Sequence, residues 1–534
     1  MRTARLLLSA SLATTVSLGA SSAFAVDANP SNYESILPTL KPGDTLNLAA
    51  GTYKGGLDIT SLNGTEAQPI VIQGAGDATI FEGNGCCNTV EIVNSSYVVV
   101  RDILVDGKGI DGVFGVSAKG GESNVVHHIT IEGCHLIGQG ASQQTVGIST
   151  KTPTSGWIIR RNVIEGPGTG MYLGNSDHTF PFAAGLIEYN LIKDPIGYDI
   201  QIKDQAEWPS HPALPSGDSK TIVRHNVFLK NDQPSPDGPR PNLFLGGQPP
   251  SGLGSGDSVE VYGNLIVHNS VDEPLIQAAG RVSIHDNILV DASDEALLLT
   301  AHDGFPVLRA LVYNNTIYGA KRGVVLSGAA TEGDALIGNL IFADTPVSGF
   351  TLEKDNVTDS VANAGSYVNA ASITLGQMDF YPAEGSMAEG SALDLSMFSA
   401  DEAPGCDFNG TSKGSATFRG AYGGSGQNPG WKLAAETKPP VASCGAGGSG
   451  GSGGASTGGA STGGSTGGSQ GGGSSNGGGG ASGSGIDSGG CGCVAAGSAG
   501  SREWQFALLS VLVLAGRRAR ASQRRAPRDA RVSR

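Results

Sequence analysis

Nine segments of this chain repeat one strand pattern in one register: VVVRDILVDG, ITIEGCHLIG, WIIRRNVIEG, GLIEYNLIKD, TIVRHNVFLK, VEVYGNLIVH, VSIHDNILVD, ALVYNNTIYG and ALIGNLIFAD. Counted on a central anchor, they place Asp102, Cys134, Asn162, Asn190, Asn226, Asn264, Asn287, Asn315 and Asn339 at equivalent positions. Three residues before every anchor stands an aliphatic residue, from Val99 to Leu336. Two residues after it stands another apolar residue, from Leu104 to Ile341. Between them the pattern alternates as a strand does. The gaps between anchors vary while the register does not. Sandwich strands would drift in register, and a propeller needs four strands per blade. The pattern fits a coil of about two dozen residues carrying loops of different lengths.

The physical cause is stacking. Apolar residues at matched places lie one above another at about 4.8 Å and fill a narrow core with like side chains. Seven of the nine anchors are Asn, a residue depleted in strands, so the anchor has a job of its own. It sits where one strand bends into the next. There Asn tolerates left-handed backbone, and its amide can bond the Asn of the next coil. Asn162, Asn190, Asn226, Asn264, Asn287, Asn315 and Asn339 are therefore expected to form a buried amide ladder. The fold class is all-β: a right-handed parallel β-helix of about nine or more coils. Two residues before the anchors, Glu132, Arg160, Glu188, Arg224, Tyr262, His285 and Tyr313 form a column, most simply a ladder of ion pairs. A short helix beginning at Ser31 is expected to cover the first coil.

Outside the repeats the composition changes. Arg2 and Arg5, an apolar stretch over 6–18 and Ala23-Phe24-Ala25 read as a signal peptide, residues 1–25, with the mature chain starting at Val26. The β-helix domain is assigned to 26–436. From 437 to 490 a Gly/Ser/Thr-rich stretch with units such as Ala455-Ser456-Thr457-Gly458-Gly459 cannot bury a core and reads as a tether. Residues 491–534 hold Cys491-Gly492-Cys493, a short apolar run and an arginine cluster. The apolar run is shorter than the ~20 residues a membrane span needs. The whole is read as a sorting or anchoring tail.

The mature body before Cys491 carries 23 Lys/Arg against 47 Asp/Glu. That balance excludes a nucleic-acid partner, whose phosphates demand basic residues. Export permits disulfides among the seven cysteines, and Cys406 with Cys444 would clamp the end of the body. The protein is expected to be exported, at a bacterial cell surface or outside it, and monomeric.

Several features resemble known families. Lys41-Pro42-Gly43-Asp44-Thr45-Leu46, Gly51-Thr52-Tyr53 and, near the end, Arg419-Gly420-Ala421-Tyr422 are similar to the opening and closing segments of pectin lyase-like right-handed β-helix proteins. The tail resembles the MYXO-CTERM sorting signal of myxobacterial surface proteins. That resemblance implies processing around Cys491 and Cys493 by a sorting machinery.

Loops over 117–124, 151–156, 174–185, 204–220 and 246–257 all leave from one edge of the coils and should wall the middle of the body. On the strand entering the longest loop, alternation sends Ile200 and Ile202 inward and Asp199, Gln201 and Lys203 outward. Gln201 should stack between Tyr172 and Phe244, with Trp208 and His211 on the loop above. An exposed aromatic column beside a lysine is a sugar platform. Lys203 resembles the base of calcium-dependent lyases of the chondroitinase B and alginate lyase family. The resemblance implies proton abstraction beside a uronate carboxylate, with Ca2+ as cofactor. The arginine that this family carries on the next coil is not matched, since that strand reads Asn242-Leu243-Phe244-Leu245-Gly246-Gly247. The expected function is a cell-surface protein that binds and processes extracellular polysaccharide in a groove over its middle coils. A non-catalytic adhesin or structural surface protein is the alternative.

Overall fold

A computed structural model describes residues 24–85 and 87–441. The expected signal peptide up to Ala23, the tether and the tail with Cys491 and Cys493 lie outside the described residues. The described chain winds as a right-handed parallel β-helix, the hand that parallel crossovers take. Twelve successive parallel pairings carry its first face from Ala25–Ala28 to Glu353–Lys354. The middle coils have three strands each, and towards the ends two faces are joined by one long strand, as in Ile70–Glu82 and Ile288–Thr300. The first face includes Ile158–Arg160, Leu186–Glu188 and Lys220–Arg224. The second includes Val163–Glu165, Leu191–Lys193 and Val227–Leu229. The third includes Thr169–Leu173, Ile200–Ile202 and Leu243–Leu245.

The matched positions form the core. Ile131, Ile159, Ile187, Val223, Val261, Ile284, Val312 and Leu336 are fully buried, as are their partners from Leu136 to Ile341 on the second face. Burying each such side chain contributes roughly 1.5–3 kcal/mol. One position is corrected. Val100 pairs with Ile131 and Arg101 with Glu132, so the rung above Cys134 is Ile103, not Asp102. Val99 and Leu104 accordingly face outward, while Val100 and Val105 are buried.

The amide ladder runs unbroken. Each Asn Nδ2 donates to the Oδ1 of the next coil's Asn at 2.9–3.0 Å, from Asn162 through Asn339. Asn356 adds a further rung. The left-handed backbone falls on the residue before the anchor, not on the anchor itself. Arg161, Tyr189, His225, Asp286 and Asn314 have φ of 53–56°. The helix near the start spans Tyr33–Ile36, and Ser31 spends its hydroxyl on Asn29 rather than capping it.

Second-face strands such as Val227–Leu229 are apolar throughout because both sides are covered. Leu191, Val227, Leu265 and Ile288 point away from the coil core into a second cluster with Phe380, Phe408 and Tyr422 from the chain's later segment. That segment stays packed beyond Glu436. Lys438 is buried, its Nζ donating to the carbonyls of Gly263 at 2.9 Å and Phe408 at 2.6 Å. Cys87 and Cys406 both stand in disulfides, and Cys134 is a buried free thiol.

Candidate functional site

The third face brings together the residues that alternation selected. Tyr172, Gln201 and Phe244 lie in register on three successive coils. Long loops flank them on both sides. On one side, the loop after Asp204 leans back over earlier coils, pinned by Trp208. Its indole packs with Val125, Ala183 and Leu214 and donates to Gln205 Oε1 at 2.8 Å. On the other side, a loop over 231–241 reaches back to Gln143. Gln143 Nε2 donates to Gly238 O at 2.9 Å, and Asp237 N–H donates to Gln143 Oε1 at 3.0 Å.

The open platform expected here is largely roofed. Phe244 is 1% exposed, Gln201 7% and Lys203 6%; Tyr172 keeps a partly exposed ring. The cover over Phe244 comes from a turn two coils on. The His302 ring sits edge-on to Phe244 at 4.4 Å. Trp208 is a wall anchor, 4% exposed, and not a sugar-stacking surface. His211 is partly exposed on the same loop, its Nδ1 accepting from Ala213 N–H at 3.1 Å.

Asp199 also departs from expectation. It lies before the strand proper, in register with Gly147 and Gly170, where the chain bends and Cβ atoms point into the body. A Cβ on Gly170 would stand 2.8 Å from Ile192 Cγ2. Asp199 is fully buried, with the Asn242 side chain as its hydrogen-bonding neighbour. Burial raises its affinity for a proton, and the nearby Lys230 charge opposes that. It belongs beneath the groove, not on it.

Lys203 follows the central strand. Its Nζ lies 5.8 Å from the centroid of the Tyr172 ring, a cation–π distance, and it has no ion pair among the described residues. It has room because Gly174 stands beside it on the neighbouring coil, where a Cβ would come 3.0 Å from Lys203 Cβ.

The residues that sequence reasoning missed sit next to it. Asp204 is fully buried. Its Oδ1 accepts from Gly247 N–H at 2.8 Å, and its Oδ2 lies 2.7 Å from His302 Nδ1. Asp303 Oδ2 is 3.7 Å from the same nitrogen and 4.0 Å from His178 Nε2. Glu273, half-buried in the field of Arg240, Lys230 and His302, has its carboxyl pushed up to about 7, chiefly by burial. Gly246 and Gly247 stand where the lyase family's arginine was sought. A Cβ on Gly246 would stand 2.2 Å from Asp204 N, and one on Gly247 2.6 Å from Phe305 Cβ. The Lys203–Asp204 backbone of the preceding coil explains Gly246, and the close passage of the 301–306 turn explains Gly247. The place of Asp204 beside Lys203 is the one local signal for this pair; nothing local to His302 marks it.

The donor atoms of Asp204, His302 and Asp303 lie within 4.8 Å of one another. An imidazole with two carboxylates is not the oxygen-rich cradle that calcium takes. Asp204 is already committed to Gly247 and His302. The set does not fit calcium.

No family model and no curated protein matches the chain. Solved structures do. An alginate lyase from Paenibacillus sp. is 15% identical, with 63% of this chain and 99% of that one covered and a TM-score of 0.37. The A-module of a mannuronan C-5 epimerase from Azotobacter vinelandii is 15% identical, covering 62% and 94%, with a TM-score of 0.38. A PL6 family polysaccharide lyase from Pseudopedobacter saltans is 12% identical, covering 64% and 93%, with a TM-score of 0.38.

Proposed function

We propose that this protein binds extracellular polysaccharide in the groove over its middle coils and cleaves it by a lyase-type elimination. The observation that carries the reading is the convergence of Tyr172, Lys203, Asp204 and His302 on one patch of the third face. An aromatic ring offers a stacking surface for a sugar. A lysine without a carboxylate partner among the described residues, in a body of strongly negative charge, offers a counter-ion for a sugar carboxylate. Carboxylated sugars, the uronates, are the substrates that use both. In this reading Lys203 is the catalytic cation of the site, with Gln201 and Phe244 shaping its floor. Calcium has no assigned place in it.

The proposal extends to location: an exported, monomeric body carried on a tether and delivered to the cell surface through the Cys491-Gly492-Cys493 tail. A passive adhesin is the second reading, favoured by the low exposure of Gln201 and Phe244. Affinity electrophoresis of the soluble body in gels containing polymannuronate, polyguluronate or polygalacturonate separates the outcomes. Retardation that Tyr172→Ala and Lys203→Gln abolish supports the groove. Unaltered mobility in all three gels sinks it.

A further inference from the structure

His302 and Asp204 are brought together from positions 98 residues apart. The carboxylate is fixed twice over. One oxygen holds a backbone N–H of the next coil, and the other holds His302 Nδ1. The imidazole is held a second time by the Phe244 ring beneath it. Its turn is closed by paired backbone bonds between His302 and Phe305, and Phe305 packs on His178. A histidine whose Nδ1–H is bound by a buried carboxylate is locked in one tautomer, with Nε2 as its lone-pair nitrogen. His302 remains 31% exposed while Asp204 is fully buried, so the imidazole is the part of the pair that a substrate can meet. Among the described residues Asp303, His178 and Glu273 also lie around the ring, from its own turn and two neighbouring loops.

We infer that His302 is the proton-transfer residue of the groove, oriented by Asp204, acting on a uronate whose carboxylate is held by Lys203. The inference rests on the polysaccharide reading above and assigns the base to the imidazole rather than to the lysine. Nε2 takes the proton from the ring carbon that bears the carboxylate. The electron pair of that C–H bond becomes a ring double bond, and the bond from the adjacent carbon to the glycosidic oxygen breaks. The departing oxygen takes the proton from the imidazolium, so His302 ends as it began and no water is consumed. Asp204 is a positioning residue in this scheme.

The test uses the soluble body with polymannuronate, polyguluronate and polygalacturonate, following the ultraviolet absorbance of the unsaturated product. His302→Ala should lower kcat by about 100-fold or more, the usual worth of a positioned acid–base group, with KM little changed. Added imidazole should restore part of the lost rate. His302→Gln should bind polymer as the wild type does, which separates loss of chemistry from loss of the groove. Turnover that survives in His302→Ala overturns the inference. So does a wild type that binds polymer and yields no unsaturated product, although the groove would then stand as a binding site. A metal ion found in the wild type, lost from His302→Ala, and restoring turnover where imidazole does not, would also overturn it, because the ring would then be a ligand. A wild type that neither binds nor cleaves any of the three polymers removes the proposed function as well.

Discussion

Asn226 and Asn264 meet through a single oxygen: Asn264 Oδ1 accepts both the backbone N–H of Asn226 at 2.8 Å and its Nδ2 at 3.0 Å. Asn226 in turn accepts from Asn190 N–H and Nδ2 and donates to Ile187 O and Arg224 O. Asn226→Ala leaves buried donors on Asn190 and buried acceptors on Ile187 and Asn264 without this partner. The expected loss is about 1–3 kcal/mol. Asn356→Ala, at the partly exposed end of the ladder, should cost less. Melting temperatures of the two variants check this. Equal and negligible shifts would tell against the ladder as a source of stability.

A pH dependence follows from the column that begins as ion pairs and ends as stacked rings. Arg160 pairs with Glu132 at 2.9 Å and Arg224 with Glu188 at 2.8 Å. Above them His285 lies between the Tyr262 and Tyr313 rings, 4.9 and 4.5 Å away. Burial acts to lower the proton affinity of His285. Its bonds to Asp286 at 2.9 Å and Glu260 at 3.2 Å outweigh that, and the net shift is upward from 6.5. Glu260 moves the other way, down from 4.5: burial opposes the shift, and His285 and Lys220 overcome it. A raised histidine contributes stability that is full below its unfolded value and lost as pH rises through the folded value. A lowered glutamate contributes stability that is present above its unfolded value and lost as pH falls. The two overlap between about pH 5 and 6.5, where this pair stabilises the body most. His285→Gln should flatten the alkaline side of a melting-temperature profile. A variant whose profile keeps the wild-type slope above pH 6.5 would show that another group carries it.

The fold was legible because stacking demands the same residue class at the same place, coil after coil. Ile159, Ile187 and Val223 could be matched from spacing alone. The register slipped by one only at Asp102, where the rung is occupied by the apolar Ile103 and the neighbouring aspartate imitated an anchor. The site was less legible for a physical reason. Alternation tells which residues leave the core, and it placed Tyr172, Gln201 and Phe244 in one column correctly. It does not tell what lies on top of them. Phe244 is covered by a turn that is close only because the helix brings later coils alongside. Asp199 failed because a bend ends the alternation one residue before the strand starts.

The crowding at Gly247 gives a direct handle on the Asp204–His302 pair. Gly247→Ala would press a methyl on Phe305 Cβ, with 2.6 Å between them before relaxation. The turn from His302 to Phe305 is held by its own two backbone bonds and should shift as a unit. Overpacking of this kind costs about 1–3 kcal/mol. Most of it should appear as displacement of His302 rather than as global unfolding, since the turn is on the surface. Under the elimination reading, turnover falls about tenfold or more, the scale expected when a positioned acid–base group worth at least 100-fold is pushed aside. The melting temperature should move by only a few degrees, as a loss of this size does in a domain larger than 150 residues. A normal rate in Gly247→Ala would show that the turn yields without moving the imidazole.

The last prediction concerns where the body ends. The composition places the tether from residue 437, yet Lys438 is buried against the Phe408 ring with Nζ 3.4 Å from its centroid, and Val441 N–H donates to Tyr189 OH at 3.3 Å. These contacts tie the closing segment to the coils: Val441 reaches Tyr189, 252 residues earlier, and Lys438 reaches Gly263, 175 residues earlier. A chain stopped after Glu436 loses the Lys438 Nζ that serves Gly263 O and Phe408 O. Burial pushes the Lys438 amine well below its ordinary value and disfavours its charged form, so each of the two buried carbonyls loses a hydrogen bond worth about 0.5–1.5 kcal/mol net. The chain stopped after Cys444 keeps them. Exported from the native host, the 444-residue form should accumulate as a soluble body in the medium with an unchanged melting curve. The form ending at Glu436 should melt lower and be cleaved faster by protease. Retention of the 444-residue form at the cell surface would mean that the body itself holds the surface and that the Cys491-Gly492-Cys493 tail does not deliver it. Equal stability of the two forms would show that Lys438 merely rests in its site.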